Sequence, residues 1–439
     1  MTFLRKIFIS LIVITLITTL NVILFSWNNA FDIDFIPPTV QNSSNHINNT
    51  LSERPEFRHI DKNVERFIKR NNLAGASLAI TKNGALKFAK GYGSADKELD
   101  IAVQPYNIFR IASVSKLVTA TAIMKLCETN KISLSSTAFG SNGILNDSIY
   151  LNYRDKKVEQ ITVRDLLNHT SGWTNRWGDP MFIHRAVANQ PEFSYPITGE
   201  DIIRFMLKKR LHYPPGTLSS YSNFGYAILE KIIEKASGTS YENYVKTEIL
   251  YPLEIFDMKI GGSYLWERYD LEVKYYEPDE PYLVPDHLER DKQALRSYGG
   301  NDIRTLGAAG GWIASSTDIL KLVSAIDGFE HPDDILSFES IRQMTEIENL
   351  GDSPLGWRGI RKAYWYRTGT LAGSSALIVR YDNGISFAII FNSSSWKGPE
   401  FANDIKKMMD KSLKSVKTWP EYDLYNLKLN TNNTEDIIF

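Results

Sequence analysis

Residues 376–391 read Ala376-Leu377-Ile378-Val379-Arg380-Tyr381-Asp382-Asn383-Gly384-Ile385-Ser386-Phe387-Ala388-Ile389-Ile390-Phe391. Two apolar runs flank an Asp-Asn-Gly turn, which predicts a β-hairpin with strands at 376–379 and 385–391. A second hairpin is predicted far upstream, where 76–80 and 85–89 flank Lys82-Asn83-Gly84. An amphipathic helix with Val64, Phe67 and Ile68 on one face precedes the first hairpin, and a helix over about 400–413 follows the second. Between them, residues 108–326 are mostly helical in pattern, broken by Pro and Gly loops. Hairpins that bracket a helical insert predict an α/β (α+β) fold: one antiparallel sheet built from both chain ends, helices on its faces, and an all-helical subdomain beside it. The cleft between the two parts is the natural place for a site.

This domain is expected to span 56–417. Before it, residues 7–27 are predominantly apolar and uncharged, with Arg5 and Lys6 on one side and Asp32 and Asp34 on the other. That is about the ~20 residues a spanning helix needs, and the flanking charge predicts a cytoplasmic start with the remainder outside. Residues 1–27 are therefore read as a membrane anchor, with a cleaved signal and a secreted product as the alternative. Residues 28–55, rich in Asn, Ser and Pro, read as a polar linker, and 418–439 as a polar, poorly packed tail.

Of the 439 residues, 43% are hydrophobic and 23% charged, which is ample for a buried core. A net charge of -1, with both signs interspersed, offers no field for phosphate backbones, so nucleic acid is not an expected partner. The single cysteine, Cys127, can form neither an internal disulfide nor a Cys-x-x-Cys knuckle and is read as a small buried hydrophobe. No His-Glu-x-x-His occurs, which removes that zinc-protease signature. The chemistry falls to hydroxyls, amines and amides.

A serine becomes a nucleophile when a base stands within reach, and a lysine three residues later on a helix shares its face. Ser-x-x-Lys occurs at Ser94, Ser113 and Ser394, but only Ser113 opens an apolar helix (Leu117, Val118, Ala120, Ile123, Met124, Leu126). Taken alone, Ser113 reads equally as a helix N-cap. Lys116, with an ordinary pKa near ~10.4, would be protonated at neutral pH, so a second proton-carrying group is required. Tyr-x-Asn supplies a phenol and an amide, and of its four occurrences Tyr221-Ser222-Asn223 is the one placed after a turn, Pro214-Pro215-Gly216, and before a helix. By itself Tyr221 reads as buried packing. Arg367-Thr368-Gly369-Thr370 enters a strand before Gly373-Ser374-Ser375, where a cation, hydroxyls and a glycine can hold a substrate carboxylate and admit its backbone; the plainer reading is an exposed strand start.

In order and spacing these elements, together with Ile161-Thr162-Val163-Arg164-Asp165-Leu166-Leu167-Asn168-His169-Thr170-Ser171-Gly172, Tyr251-Pro252-Leu253, Ala308-Ala309-Gly310-Gly311-Trp312 and Thr317-Asp318, give a chain that resembles class C β-lactamase-like serine hydrolases over about 57–413. That family also holds D-alanyl-D-alanine carboxypeptidases, D-amino-acid peptidases and family VIII carboxylesterases. The resemblance implies Ser113 as the acyl-accepting nucleophile, Lys116 and Tyr221 as partners in proton transfer, and Asn223, Arg367, Thr368, Gly369 and Thr370 as substrate-binding residues. It implies an oxyanion hole at the backbone N–H groups of Ser113 and Thr370, a structural role for His169, and neither metal nor organic cofactor. The family usually has Lys or His where Arg367 stands; the charge is kept, but the planar head need not occupy the same point. Residues 263–298, rich in Tyr, Asp and Glu, are expected to line the cleft.

The expected function is hydrolysis of an amide or ester in a small-molecule or peptide substrate, such as a cell-wall fragment or β-lactam-like compound, outside the cytoplasm. The alternative is a weak or inactive ligand-binding or sensor module on the same fold. No Gly-x-Ser-x-Gly occurs, which disfavours an α/β-hydrolase triad.

Overall fold

This computed structural model describes residues 47–176, 178–278, 282–347 and 353–427. The anchor expected at 1–27, most of the linker and the end of the tail lie outside them. Among the described residues no helix is long and apolar enough to cross a membrane.

In chain order the strands are β1 (Gly75–Lys82), β2 (Ala85–Asp96), β3 (Ile101–Ala102), β4 (Phe109–Arg110), β5 (Lys259–Ile260), β6 (Leu283–Pro285), β7 (Gln293–Leu295), β8 (Trp312–Ala314), β9 (Gly359–Arg361), β10 (Tyr364–Leu371), β11 (Ser374–Tyr381) and β12 (Ile385–Phe391). The helices are α1 (Arg58–Arg70), α2 (Ser115–Glu128), α3 (Val163–Leu167), α4 (His184–Ala188), α5 (Gly199–Leu207), α6 (Asn223–Ser237), α7 (Tyr241–Val245), α8 (Ile303–Gly310), α9 (Ser316–Ser324), α10 (Phe338–Thr345) and α11 (Phe401–Leu413).

The two hairpins expected from the sequence meet in the centre of one antiparallel sheet, ordered β3-β2-β1-β12-β11-β10-β9, with Ala76 opposite Phe391 and Lys82 opposite Ile385. Asn83 and Gly84 both take positive φ, 52° and 77°, as a tight hairpin turn requires. Alternation along the strands buries both faces. Leu78, Ile80, Phe88, Val379 and Phe387 meet α1 and α11, while Ala79, Ala89, Ile378 and Ile390 enter the larger core on the other side. Strands sealed on both faces read as near-continuous apolar runs. On α1, Ile60, Val64 and Phe67 recur at helical spacing and supply the covering face, each buried side chain contributing about 1.5–3 kcal/mol.

The middle of the chain is helical but not wholly so. Short strands β4, β8 and β5 form a second small antiparallel sheet, and β6 pairs with β7 inside the Tyr-rich segment. Runs of two or three residues lie below the length at which a period can be read. Cys127 is half-buried on α2 rather than fully enclosed.

Two polar segments that the sequence assigns to linker and tail are packed. Ser52 Oγ donates to the Ala89 carbonyl and accepts from its N–H, both at 2.9 Å, and the Gly91 N–H donates to Asn49 Oδ1 at 2.7 Å. The Leu86 N–H donates to Asp423 Oδ1 at 2.8 Å, the Leu424 N–H donates to the Leu86 carbonyl at 2.9 Å, and Leu424 is buried. Both segments satisfy the free edge of β2, so described residues of the expected linker and tail pack as part of the domain. Composition misleads here because covering a strand edge calls for hydrogen-bonding groups, not apolar ones.

Candidate active site

The turn Ala112–Val114 leads into α2 and carries Ser113 at the cavity wall. Ala112 has φ 49°, a left-handed conformation that a Cβ disfavours, and the turn is held by the Ile111 N–H donating to the Trp312 carbonyl at 3.1 Å. Strand β10 passes so close that a Cβ on Gly369 would stand 2.2 Å from the Ile111 carbonyl oxygen. Only glycine permits that approach.

Second in α2 and three residues past Ser113, Lys116 is fully enclosed. Its Nζ donates to Asn223 Oδ1 at 2.7 Å and to the Ala309 carbonyl, and lies 5.1 Å from the centre of the Tyr221 ring. The Tyr221 hydroxyl donates to Ser113 Oγ at 2.7 Å. Burial first, and then the Arg367 charge, lower the Lys116 ammonium to about 8, against the opposing pull of Tyr221. Burial alone would raise the Tyr221 phenol; the charges of Lys116 and Arg367 and the bond to Ser113 outweigh it and bring the phenol to about 8. Two groups that ordinarily titrate well above neutrality are thus both brought to about 8, one of them bonded directly to Ser113 Oγ.

Arg367 does not stand where a substrate carboxylate could reach it. It is 1% exposed, its Nε donates to the Ser113 carbonyl at 2.7 Å, and its Nη2 donates to the Tyr221 hydroxyl at 3.2 Å. The longer, forked head that distinguishes arginine from lysine spans both partners at once. The cation that does line the cavity is Arg358, exposed, with its guanidinium 5.2 Å from the Tyr221 ring centre. Sequence reading passes over it: the nearby Gly356-Trp357 marks a loop but says nothing of what the loop faces.

The Arg358 N–H donates to the Tyr366 carbonyl, so the backbone of Tyr366 points toward β9. By strand alternation Thr368 and Thr370 point to the same side, beyond the end of β9, and both line the cavity. The Thr370 N–H is thereby placed on the open edge of β10, and Thr370, like Ser113, lines the cavity.

Asn223 begins α6, whose N-cap Ser222 accepts from the Gly225 N–H and whose C-cap is Gly238 at φ 76°. Besides accepting from Lys116, it donates through Nδ2 to Asp179 Oδ2 at 2.7 Å. One further N–H and one lone pair of its amide remain for a substrate. Asp179, which the sequence analysis does not single out, also caps Pro180–Phe182 and fixes which way the amide faces. His169 is enclosed and accepts through Nδ1 from the Ser222 N–H at 3.3 Å; burial, then Arg367 and Lys116, push its pKa well below the usual range. It stays neutral and positions the Tyr221 loop.

The cavity these groups line measures about 270 Å³. Among the described residues no three His, Cys, Asp or Glu side chains converge on a metal-sized space. All three motifs of the sequence analysis therefore meet in one place, with Arg367 behind the reacting groups rather than in front of them.

A β-lactamase family profile matches residues 60–407. Protein flp of Staphylococcus aureus (strain N315) is 30% identical over 198 residues, 45% of this chain and 37% of that protein, and the putative penicillin-binding protein PbpX of Bacillus subtilis (strain 168) is 28% identical over 62% of this chain and 60% of its own. The chain thus spans little more than a third of the length of flp. The D-amino acid amidase of Ochrobactrum anthropi SV3 superposes with a TM-score of 0.63 at 22% identity, covering 83% of this chain and 99% of the amidase, which is a likeness of fold. With the family profile extending over most of the chain, the protein belongs to the β-lactamase family.

Proposed function

We propose that this protein cleaves an amide or ester bond through an acyl-Ser113 intermediate. The observation that carries the reading is the Tyr221 hydroxyl 2.7 Å from Ser113 Oγ, with Lys116 and Arg367 holding that phenol near the pH at which it exchanges protons. In the proposed reaction the Tyr221–Lys116 pair takes the Ser113 proton as Oγ attacks the carbonyl carbon. The oxyanion is received by the N–H groups of Ser113 and Thr370, donors of a kind worth about 3 kcal/mol each. The pair then returns the proton to the departing amine or alkoxide, and water repeats the sequence on the acyl-enzyme.

The free backbone edge at Thr368 and Thr370 suits an extended, peptide-like substrate laid alongside β10. The exposed Arg358 suits a carboxylate on the leaving group. Relatives described as a penicillin-binding protein and a D-amino acid amidase favour peptide amides of that kind. We place the domain outside the cytoplasm, tethered through residues 7–27, on the charge and apolarity of that stretch.

The test compares the parent with Ser113→Ala on carboxyl-terminal D-alanyl peptides and small esters, following hydrolysis and intact mass. The parent should gain the acyl mass that the variant lacks, and the variant's hydrolysis should fall by at least ~10⁴-fold. Equal hydrolysis in a folded Ser113→Ala protein contradicts the proposal.

A further inference from the structure

Helix α6 begins at Asn223, and Asn223, Tyr226 and Glu230 follow one another along it at helical spacing, which puts them on one face. Two of them meet the Lys116 head: Asn223 Oδ1 accepts from its Nζ at 2.7 Å, and the centre of the Tyr226 ring lies 5.2 Å from it. Glu230, two turns beyond Asn223, reaches α8 instead. Its Oε2 accepts from the Ala308 N–H at 2.9 Å, and a Cβ on Gly307 would stand 2.2 Å from the same oxygen.

That contact lies at a break in α8, where Gly307 leaves helical geometry with φ 18° and ψ -104°. Beyond the break two carbonyls turn toward α2. That of Ala308 accepts from Thr119 Oγ1 at 2.7 Å, and that of Ala309 accepts from Lys116 Nζ. A carboxyl is costly to keep beside such a break. Its side chain is only 18% exposed, with Lys231 Nζ 4.0 Å from Oε1. Burial, with Glu234 and Asp302 facing it, outweighs the Ala308 N–H and Lys231 and raises it to about 7. Apolar packing between α6 and α8 does not call for a carboxyl; a backbone N–H at the break, which must find an acceptor, does.

We propose that Glu230 is a positioning residue for the catalytic base: by holding the Ala308 N–H it fixes the break in α8 and keeps the Ala309 carbonyl on Lys116 Nζ. One face of α6 then sets two acceptors of the lysine, Asn223 directly and Ala309 through Glu230. The carbonyl favours the ammonium over the neutral amine, so releasing it lowers the proton affinity of Lys116 and loosens the amine beside Tyr221. The other charged or titratable groups around the lysine, Tyr221, Arg367, Asp179 and His169, are unchanged by substitution at 230. The consequence for catalysis rests on the proposed hydrolase; the effect on Lys116 itself does not.

The experiment uses the full chain with lysine labelled by carbon-13 at Cε, the Lys116 signal being identified by its loss in Lys116→Met. Its titration is followed by NMR from pH 6 to 10 in the parent, in Glu230→Ala and Glu230→Leu, which remove the acceptor with and without the volume, and in Glu230→Gln, which keeps an oxygen for the Ala308 N–H but not the charge. The Lys116 transition should move down by at least about half a pH unit in the two acceptor-free variants and stay near the parent's in Glu230→Gln. Fluorophosphonate labelling of Ser113 on its pH plateau should slow about tenfold in the first two, with glutamine recovering it to within about threefold of the parent. Transitions and labelling rates that match the parent in both acceptor-free variants overturn the inference. So does a glutamine variant as impaired as alanine, which would make the charge, not the held N–H, the operative feature. A parent that hydrolyses no amide or ester, while the Lys116 transition still shifts in Glu230→Leu, would sink the hydrolase reading and leave the positioning role standing.

Discussion

Between the sheet and helices α1 and α11, Phe57, Phe67, Phe88, Phe387 and Phe401 close an apolar cluster, with the Phe67 and Phe401 rings 5.4 Å apart. Between β10 and α2, by contrast, Lys116 and Arg367 are each as well sealed from solvent as those phenylalanines, yet both carry formal charge and face one phenol. The first interface is built by the ordinary rule that apolar surface is removed from water. The second breaks that rule, and its result is a lysine and a tyrosine both brought to about 8. Stability and reactivity are thus separated in space, on two sides of one sheet.

That separation can be broken deliberately. Lys116→Met converts the charged interface toward the apolar kind; turnover should fall by at least ~10³-fold while the melting temperature holds or rises, because a buried cation beside another cation is lost. A drop in both together would mean that Lys116 serves mainly as a structural prop. Phe67→Ala makes the opposite change and should cost about 3–5 kcal/mol in denaturant unfolding, with the pH dependence of the surviving activity unmoved. Arg358→Gln is the mildest: KM for a substrate with a leaving-group carboxylate should rise about tenfold at constant kcat, with no change for a neutral ester. Equal effects on both substrates would remove Arg358 from carboxylate recognition.

The same contrast explains what the sequence discloses. Both hairpins are legible because their turn chemistry is local: Asn83-Gly84 and Asn383-Gly384 announce reversals, and the flanking runs declare their own length. Ser113, Lys116 and Tyr221 are legible because each lies in a short motif with a helix beginning beside it. Arg358 and Asp179 are not, because their importance arises from distant parts of the chain, the Tyr221 ring beside Arg358 and the Asn223 amide that donates to Asp179. Arg367 is legible as a departure from the usual Lys or His, but its burial is not. What covers Arg367 is the turn at Ser113 and the Tyr221 loop, both far away in the chain. The packed segments at 49–52 and 422–425 escape notice for a related reason: their polar side chains and backbone groups serve a sheet edge that composition cannot locate.

The central claim is that Arg367 and burial set the proton affinity of the Lys116–Tyr221 pair from behind the nucleophile. The base must be unprotonated to accept the Ser113 proton, so acylation should rise with pH and level off above about 8. Arg367 disfavours the lysine ammonium and favours the phenolate, so its removal must raise the shared affinity and move the rising limb to higher pH. The direct measurement is the rate of covalent labelling of Ser113 by a fluorophosphonate, read by intact mass from pH 6 to 10, in the parent and in Arg367→Gln. The account predicts one rising limb near 8 that shifts upward in the variant, with slower labelling at neutral pH. A limb that stays in place when Arg367 is neutralised, or labelling that persists in Ser113→Ala, would contradict it.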